Sequence, residues 1–460
     1  MESFAGKRVL VIGMGVSGLA ASRLLLAQGA DVTAVDGAKS ERLRAFTQPL
    51  AEAGAKVQLG VNGKLPGEFD LAVVSPGVPP NQPLLENLHA DGVPVIGELE
   101  LGWQNSLCLN IAVTGTNGKT TTTELIAAML NQAQRRTLAA GNIGTPVCEV
   151  APLTRDLDVL TLEVSSFQLE TIDLFRPVVA VLTNLTPDHL DRYDGMVDYI
   201  RAKARLFENQ HPFDWAVVQL ESLTQLRDLG LEPPSKIITF SSRDETADLF
   251  LDRSLIVSRQ PDWAGPLLDL HDCRLDGSHN AENLMAALAT GRAMGLAMED
   301  MRETLVNYTP LPHRCEFITE IDGVKYYNDS KGTNIDALRR ALEAMPQGAD
   351  GEKNIWLIAG GQDKEMHFHD AGPELSRRVK EALLMGEARD KIRAAWSLFT
   401  ACHPVASLAE CMEETRRKAN PGDVVLLSPA CASFDMFENY QARGDAFRHL
   451  VLQIAKETAG

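Results

Sequence analysis

A lysine set between a glycine and a threonine at the mouth of a helix is equipped to hold phosphate. In "TGTNGKTTTTEL" (Thr114 to Leu125) that lysine is Lys119. The backbone N–H groups of Gly115, Thr116, Asn117, Gly118 and the residues up to Thr121 would form a concavity for phosphate oxygens. Lys119 would reach the terminal phosphates, and the Thr120 hydroxyl would face a divalent cation. A full phosphate loop begins with a glycine where this chain has Val113, so the loop is a shortened variant. A tight strand-to-helix turn would account for the glycines, but not for Lys119 and Thr120.

Charged groups stand at the ends of the neighbouring apolar runs. "VLTLEVSS" is an apolar strand ending in Glu163, where a carboxylate meets nucleotide-bound Mg²⁺. "TNLTPDHLDR" puts Asp188, His189 and Asp191 just past the next strand. Alone, that cluster fits a capped turn better than a metal site. Beside a phosphate loop and Glu163 the metal reading prevails, with Mg²⁺ favoured over zinc because no cysteine pair accompanies it. Lys203 lies beside an apolar stripe of Val197, Ile200, Ala204 and Phe207, the ordinary place for a helix lysine that lays its stem along the core.

The start of the chain carries a different glycine turn, "GMGVSG", with Gly13, Gly15 and Gly18 between a strand and a helix. Such a turn lets the backbone approach a pyrophosphate at a helix N-terminus, and Asp36 ends the next strand where a ribose hydroxyl would be accepted. NAD(P) or FAD, another nucleotide diphosphate, and simple helix–sheet packing all satisfy this pattern. Further on, "NDSKGTN" (Asn328 to Asn334) contains Asp329 and Lys331, which helix capping does not explain. "GGQDK" ends in Lys364, and "LLSPACASFD" ends a strand in small residues that let a ligand approach. Arg314 reads equally as a linker arginine. His367 and His369 read as a surface loop.

These residues need strand ends to present them, and the chain supplies those by alternating strand-like and helical runs throughout. The pattern points to three α/β domains with mostly parallel sheets: a Rossmann-like first domain at 1–98, a P-loop NTPase-like centre at 99–310 and a Rossmann-like third domain at 311–460. "RVLVIG", "DVTAVD", "LNIAVT", "DVLTLEV", "VVAVLTNL", "VKYYND", "NIWLIAGG" and "DVVLLSP" are expected strands. "GLAASRLLLAQG", "IDALRRALEAM" and "ELSRRVKEALL" are expected helices, as is a long helix around "MVDYIRAKARLFEN". The chain has 460 residues, of which 45% are hydrophobic and 23% charged, as in an ordinary globular protein. A net charge of −18 argues against nucleic acid or an anionic membrane as partner. Seven scattered cysteines without a CxxC, the lack of a signal-like start and the lack of an apolar run of about 18 residues lead to a cytoplasmic expectation.

Taken together, "GTNGKT", "LEVSSFQLE", "DHLDRY", "NDSKGTN" and "SPACASFDMF" resemble the Mur ligase family, in its D-glutamate-adding branch, over essentially the whole chain. The resemblance implies that ATP phosphorylates the carboxylate of UDP-N-acetylmuramoyl-L-alanine, that the D-glutamate amine attacks the acyl phosphate, and that a tetrahedral intermediate then loses phosphate. It implies a catalytic set of Lys119, His189 and Lys203. Thr120, Glu163, His189 and Lys203 would hold two Mg²⁺ ions, with Lys203 carbamylated by CO₂. Asn280, Asn283, Arg314 and Asp329 join the phosphate loop around ATP. Gly15, Ser17, Gly18, Asp36, Ser75, Gly77 and Asn142 lie on the UDP-substrate side, with Lys39 the side chain expected at the uracil. Lys331, Thr333, Lys364, Ser433 and Phe434 surround D-glutamate. The first glycine turn is then reassigned from a nicotinamide to UDP, and a monomer is expected.

Overall fold

Short runs of β-branched and aliphatic residues, each followed by a glycine or small-residue turn, make three separate sheets in the computed structural model. The structure describes residues 4–459 apart from 64, 190–191, 276–277, 310–311, 349–350 and 364–365. Its contacts divide into two compact units: Met1–Leu185 with Tyr199–Asp269 and Glu282–Val306, and Thr186–Asp198 with Leu270–Ala281 and Asn307–Gly460. The expected break at 310/311 lies outside the described residues.

The first sheet holds β1 (Arg8–Ile12), β2 (Asp31–Asp36), β3 (Lys56–Leu59), β4 (Leu71–Val74) and β5 (Val95–Gly97), all parallel, in the order β3-β2-β1-β4-β5. The order reverses at β1, which opens a crevice at the carboxyl ends of the strands. Gly13 leaves β1 at φ +88°, a left-handed conformation that favours glycine. A Cβ on Gly18 would stand 1.9 Å from Gly13 O, so the helix Val16–Ala27 packs against the turn only because residue 18 has no side chain.

The second sheet holds β6 (Leu109–Thr114), β7 (Thr137–Gly141), β8 (Val159–Glu163), β9 (Val179–Leu182), β10 (Trp215–Gln219), β11 (Lys236–Ser241), β12 (Leu249–Asp252), β13 (Leu255–Ser258) and β14 (Gly265–Asp269). Their order is β14-β13-β12-β11-β10-β9-β6-β8-β7, parallel except for the antiparallel β12-β13-β14 ribbon. The third sheet holds β15 (Glu316–Ile321), β16 (Val324–Asn328), β17 (Ile355–Gly360), β18 (Val379–Met385), β19 (Ala401–Pro404) and β20 (Val424–Leu427), in the order β15-β16-β20-β17-β18-β19. Only the β15–β16 pair in it is antiparallel. The three-domain α/β class with mostly parallel sheets is borne out.

Two expected helices differ. "ELSRRVKEALL" is helical only to Arg378; Val379–Met385 is β18, paired on both sides. Its Ala, Leu and Glu favour a helix, but a strand slot between β17 and β19 buries the apolar end, and burial outweighs propensities worth tenths of a kcal/mol. The helix carrying Lys203 spans Met196–Ala204 and tightens into a 3₁₀ turn at Arg205–Phe207.

The segment after β5 is a buried helix, Glu98–Gln104, packed inside the first unit. Glu100 Oε2 accepts the N–H groups of Asp173, Leu174 and Phe175 at 2.9, 3.2 and 2.9 Å. Glu98 Oε1 accepts from Cys148 N at 2.6 Å, while Oε2 is buried with no partner among the described residues. Burial lifts the Glu98 carboxyl to about 7, against the pull of the Cys148 hydrogen bond. A carboxyl raised in the fold binds its proton more tightly there than in the unfolded chain. Its contribution is therefore complete below the ordinary glutamate value and is lost as pH climbs through about 7. Denaturation of the protein and of Glu98→Gln between about pH 5 and pH 8 should show the wild type losing stability relative to the variant, by on the order of 3 kcal/mol. A pH-independent difference would contradict this.

Candidate active site

In the first unit, β6 ends at Thr114 and the helix Lys119–Gln132 begins after four intervening residues, with Gly115 at φ +143° and Gly118 at φ +81°. A Cβ on Gly115 would meet Thr183 Oγ1 at 2.0 Å and one on Gly118 would meet Asn283 Oδ1 at 2.2 Å, so the loop can follow this path only with glycine at both positions. The chain after β9 braces it. Asn184 accepts the Asn117 N–H at 2.9 Å on Oδ1 and the Thr116 N–H at 2.9 Å on its own carbonyl. Thr183 Oγ1 donates to Asn117 O at 2.6 Å. Asn283 is brought to the same loop, accepting from Thr122 Oγ1 at 3.2 Å. Thr120 and Thr121 are buried at the start of the helix.

Two ammonium groups converge here. Lys119 Nζ donates to Gly115 O at 2.9 Å and to Thr116 O at 2.8 Å; Lys203 Nζ donates to the same Gly115 O at 2.8 Å. Lys203 is 2% exposed and lies over the Tyr199 ring, whose hydroxyl is 3.1 Å from Thr116 Oγ1. It is therefore not a lysine reaching out to solvent. Glu163, also 2% exposed, ends β8 opposite Val113 of β6 and Gly141 of β7. Asn142 Nδ2 donates to Glu163 Oε1 at 2.7 Å. The buried carboxylate, the buried Thr120 hydroxyl and the glycine-lined loop are the hard oxygen donors and backbone cradle that suit Mg²⁺ and a phosphate chain. An unmodified Lys203 cannot ligate a cation and fits such a set only as a carbamate. Among the described residues no group of three or more His, Cys, Asp or Glu side chains gathers to hold a metal.

The crevice of the first sheet opens into a cavity of about 710 Å³. Gly15, Ser17, Asp36, Ser75, Gly77 and Asn142 line it, so six of the seven residues expected on the UDP side share one hollow. Gly18 does not line it; it sits behind the turn against Gly13 O. Ser75 Oγ donates to Gly13 O at 2.7 Å. Lys39 lies outside the cavity and lines a separate surface hollow with Arg44 and Thr47. Gln82, Gln168 and Asn62 line the cavity without having been singled out in the sequence. Gln168 stood inside the quoted "LEVSSFQLE", which was the available signal.

The remaining expected residues belong to the second unit. His189 adopts φ +55° and donates its N–H to Asp188 Oδ1 at 2.9 Å, and Asp188 Oδ2 accepts from Asn334 Nδ2 at 3.0 Å. Asn280 is in the first turn of the helix Ser278–Ala293. The loops after β16, β17 and β20 stand side by side at the carboxyl ends of adjacent strands. Asp329 is buried; its carboxylate accepts from Cys315 N at 3.2 Å and Ser428 Oγ at 2.8 Å, so it ties the β16 and β20 loops together. Burial lifts its carboxyl to about 6. Arg314 is close enough to oppose that rise, and its Nε is buried with no partner among the described residues. Lys331 Nζ lies over the Tyr440 ring, Thr333 is half-buried, Ser433 is buried and Phe434 is 70% exposed. Lys364 lies outside the described residues.

Arg443 escaped the sequence reading. It is 1% exposed and donates to Ser330 Oγ at 3.0 Å, Ser330 O at 2.8 Å, Cys431 O at 3.2 Å and Ala432 O at 3.3 Å. One side chain thus holds two of the three loops expected around D-glutamate, those after β16 and β20, at a cost visible in burial lowering its guanidinium to about 10. Nothing in "NYQARGDAF" distinguishes it from a solvated helix arginine.

Family models match nearly all of this arrangement: a MurD-like Mur ligase N-terminal domain at residues 7–97, a Mur ligase middle domain at 113–291, and a Mur ligase glutamate ligase domain at 313–431. The chain belongs to the Mur ligase family. It is 40% identical over 454 residues to the UDP-N-acetylmuramoylalanine--D-glutamate ligase of Koribacter versatilis, covering 98% of each chain. It is 41% identical to the enzyme of the same name from Pelotomaculum thermopropionicum, covering 99% of this chain and 100% of that one. Among solved structures it is similar to MurF ligase from Thermotoga maritima in complex with ADP (TM-score 0.64, 14% identity, 99% and 100% covered). MurC from the same organism gives a TM-score of 0.60 at 18% identity, covering 97% and 99%. The ligase reading and its placement in the D-glutamate-adding branch are borne out.

Proposed function

We propose that this chain joins D-glutamate to UDP-N-acetylmuramoyl-L-alanine at the expense of ATP, a step in making peptidoglycan precursors, and that it does so as a cytoplasmic monomer of three domains divided at 98/99 and 310/311. The observation that carries the reading is the pairing, in one unit, of a 710 Å³ cavity at a dinucleotide-type turn with a braced phosphate loop, Asn142 lining the cavity and donating to Glu163 at the end of the strand beside the one that leads into the loop. The cavity anchors the carrier nucleotide. The loop presents the γ-phosphate to the carboxylate at the far end of the carrier.

In that chemistry a carboxylate oxygen attacks the γ-phosphorus and ADP leaves. The D-glutamate nitrogen then adds to the acyl carbon, loses a proton and expels inorganic phosphate. Lys119 exchanges the loop carbonyls it now holds for phosphate oxygens and offsets their growing charge. Thr120, Glu163, His189 and a carbamylated Lys203 would hold Mg²⁺. Once bound, the metal supplies further positive charge to the transferred phosphoryl group. A lysine that reacts with CO₂ does so as the free amine, and Lys203 is buried beside a second lysine on the same carbonyl. Asn280, Asn283, Arg314 and Asp329 are assigned to ATP. Lys331, Lys364, Thr333, Ser433 and Phe434 are assigned to D-glutamate, the two lysines matching its two carboxylates. No helix among the described residues is long and apolar enough to cross a membrane.

The test is phosphate release with a panel of amino acids. Release is expected only with ATP, UDP-N-acetylmuramoyl-L-alanine and D-glutamate together. Release with another amino acid but not with D-glutamate would overturn the substrate assignment.

A further inference from the structure

We propose that Asn62 reads the base of the carrier nucleotide, its carboxamide pairing with the imide edge of uracil. The assignment rests on the cavity at the first glycine turn being the seat of a uridine diphosphate group. The diphosphate belongs at the N-terminus of Val16–Ala27. The base must then lie along the lip of the cavity, and the carboxyl end of β2 presents Asp36, Gly37, Ala38 and, across from them, Asn62.

Five observations single out Asn62. Asp36 is already engaged: Oδ2 accepts the Met14 N–H at 2.7 Å and Oδ1 the Ala38 N–H at 2.8 Å, so both oxygens shape the turns around them. The next two residues, Gly37 and Ala38, bring no polar side chain. A Cβ on Gly37 would stand 2.6 Å from Asn62 Oδ1, so the Asn62 amide occupies the space that a side chain at position 37 would claim. Asn62 itself is exposed at the cavity wall, and the nearby cation Lys39 is turned to a different hollow. A carboxamide offers one acceptor and one donor side by side. Uracil offers the complement: N3–H to donate to Oδ1, and O4 or O2 to accept from Nδ2.

Calorimetric titration with UDP and with UDP methylated at uracil N3 tests the pairing in the wild type, Asn62→Ala and Gly37→Ala. Removing a two-point contact to a base edge costs about tenfold or more in affinity, and N3-methylation should cost the wild type that much. Asn62→Ala should bind UDP as weakly as the wild type binds the methylated analogue, and should no longer distinguish the two. Gly37→Ala keeps the amide but displaces it, since position 37 does not have a left-handed φ, and should shift in the same direction. MgATP affinity should be the same in all three proteins. An Asn62→Ala protein that still discriminates against the methylated analogue as the wild type does would overturn the proposal. A wild type that ignores UDP altogether would overturn both this proposal and the carrier reading beneath it.

Discussion

Replacing Lys119 with alanine is expected to lower kcat by about a thousandfold while leaving the fold and the affinity for the UDP-substrate unchanged. Its side chain donates to Gly115 O and Thr116 O of its own loop. The loop keeps its shape through Thr183 and Asn184 instead. The carrier cavity is lined by other residues. Loss of activity should therefore appear in kcat, with little change in KM for the UDP-substrate and in Tm. A Lys119→Ala enzyme within about tenfold of wild type would remove Lys119 from the phosphoryl-transfer step.

Lys203→Ala is expected to be nearly as inactive, for a different reason, and short carboxylates such as acetate or formate should restore part of its activity. If Lys203 acts as a carbamate, its loss deletes a carboxylate-like oxygen pair, and a small acid fits into the space left behind. If it acts as an ammonium on Gly115 O, a carboxylate cannot replace it. Lys203→Arg separates the two cases, because it keeps a cation and cannot be carbamylated in the same way. The account predicts an inactive Lys203→Arg. An active arginine variant, or an alanine variant that no carboxylate rescues, would contradict it. Because Lys203 is buried against Tyr199, thermal unfolding should accompany both assays, so that a collapsed loop is not read as lost chemistry.

The parts of this site legible in the sequence are those whose chemistry is local. "GTNGKT" declares itself because glycine at φ +143° and +81° and a lysine at a helix start are properties of consecutive residues. The crossover from strand to helix at "GMGVSG" is legible for the same reason. Contacts made across the fold are not. Asn184, Asn62 and Arg443 look like ordinary polar residues in the chain; each acquires its place from a neighbour distant in sequence. The misread helix at "VKEALLM" has the same cause, because only the presence of β17 and β19 on either side makes a strand the better burial. Lys203 sits between these cases. Its helical position gave a snorkelling lysine, the family resemblance gave a metal ligand, and the buried contact with Gly115 O excludes the solvated reading.

The division of labour between the two glycine turns can be followed with oxygen. UDP-N-acetylmuramoyl-L-alanine labelled with ¹⁸O in its terminal carboxylate should be turned over with unlabelled ATP and D-glutamate, and the released phosphate analysed by mass spectrometry. Activation at the phosphate loop predicts one labelled oxygen in each phosphate released, with ADP as the other nucleotide product. Amide formation with unlabelled phosphate, or with AMP and pyrophosphate, would contradict the account.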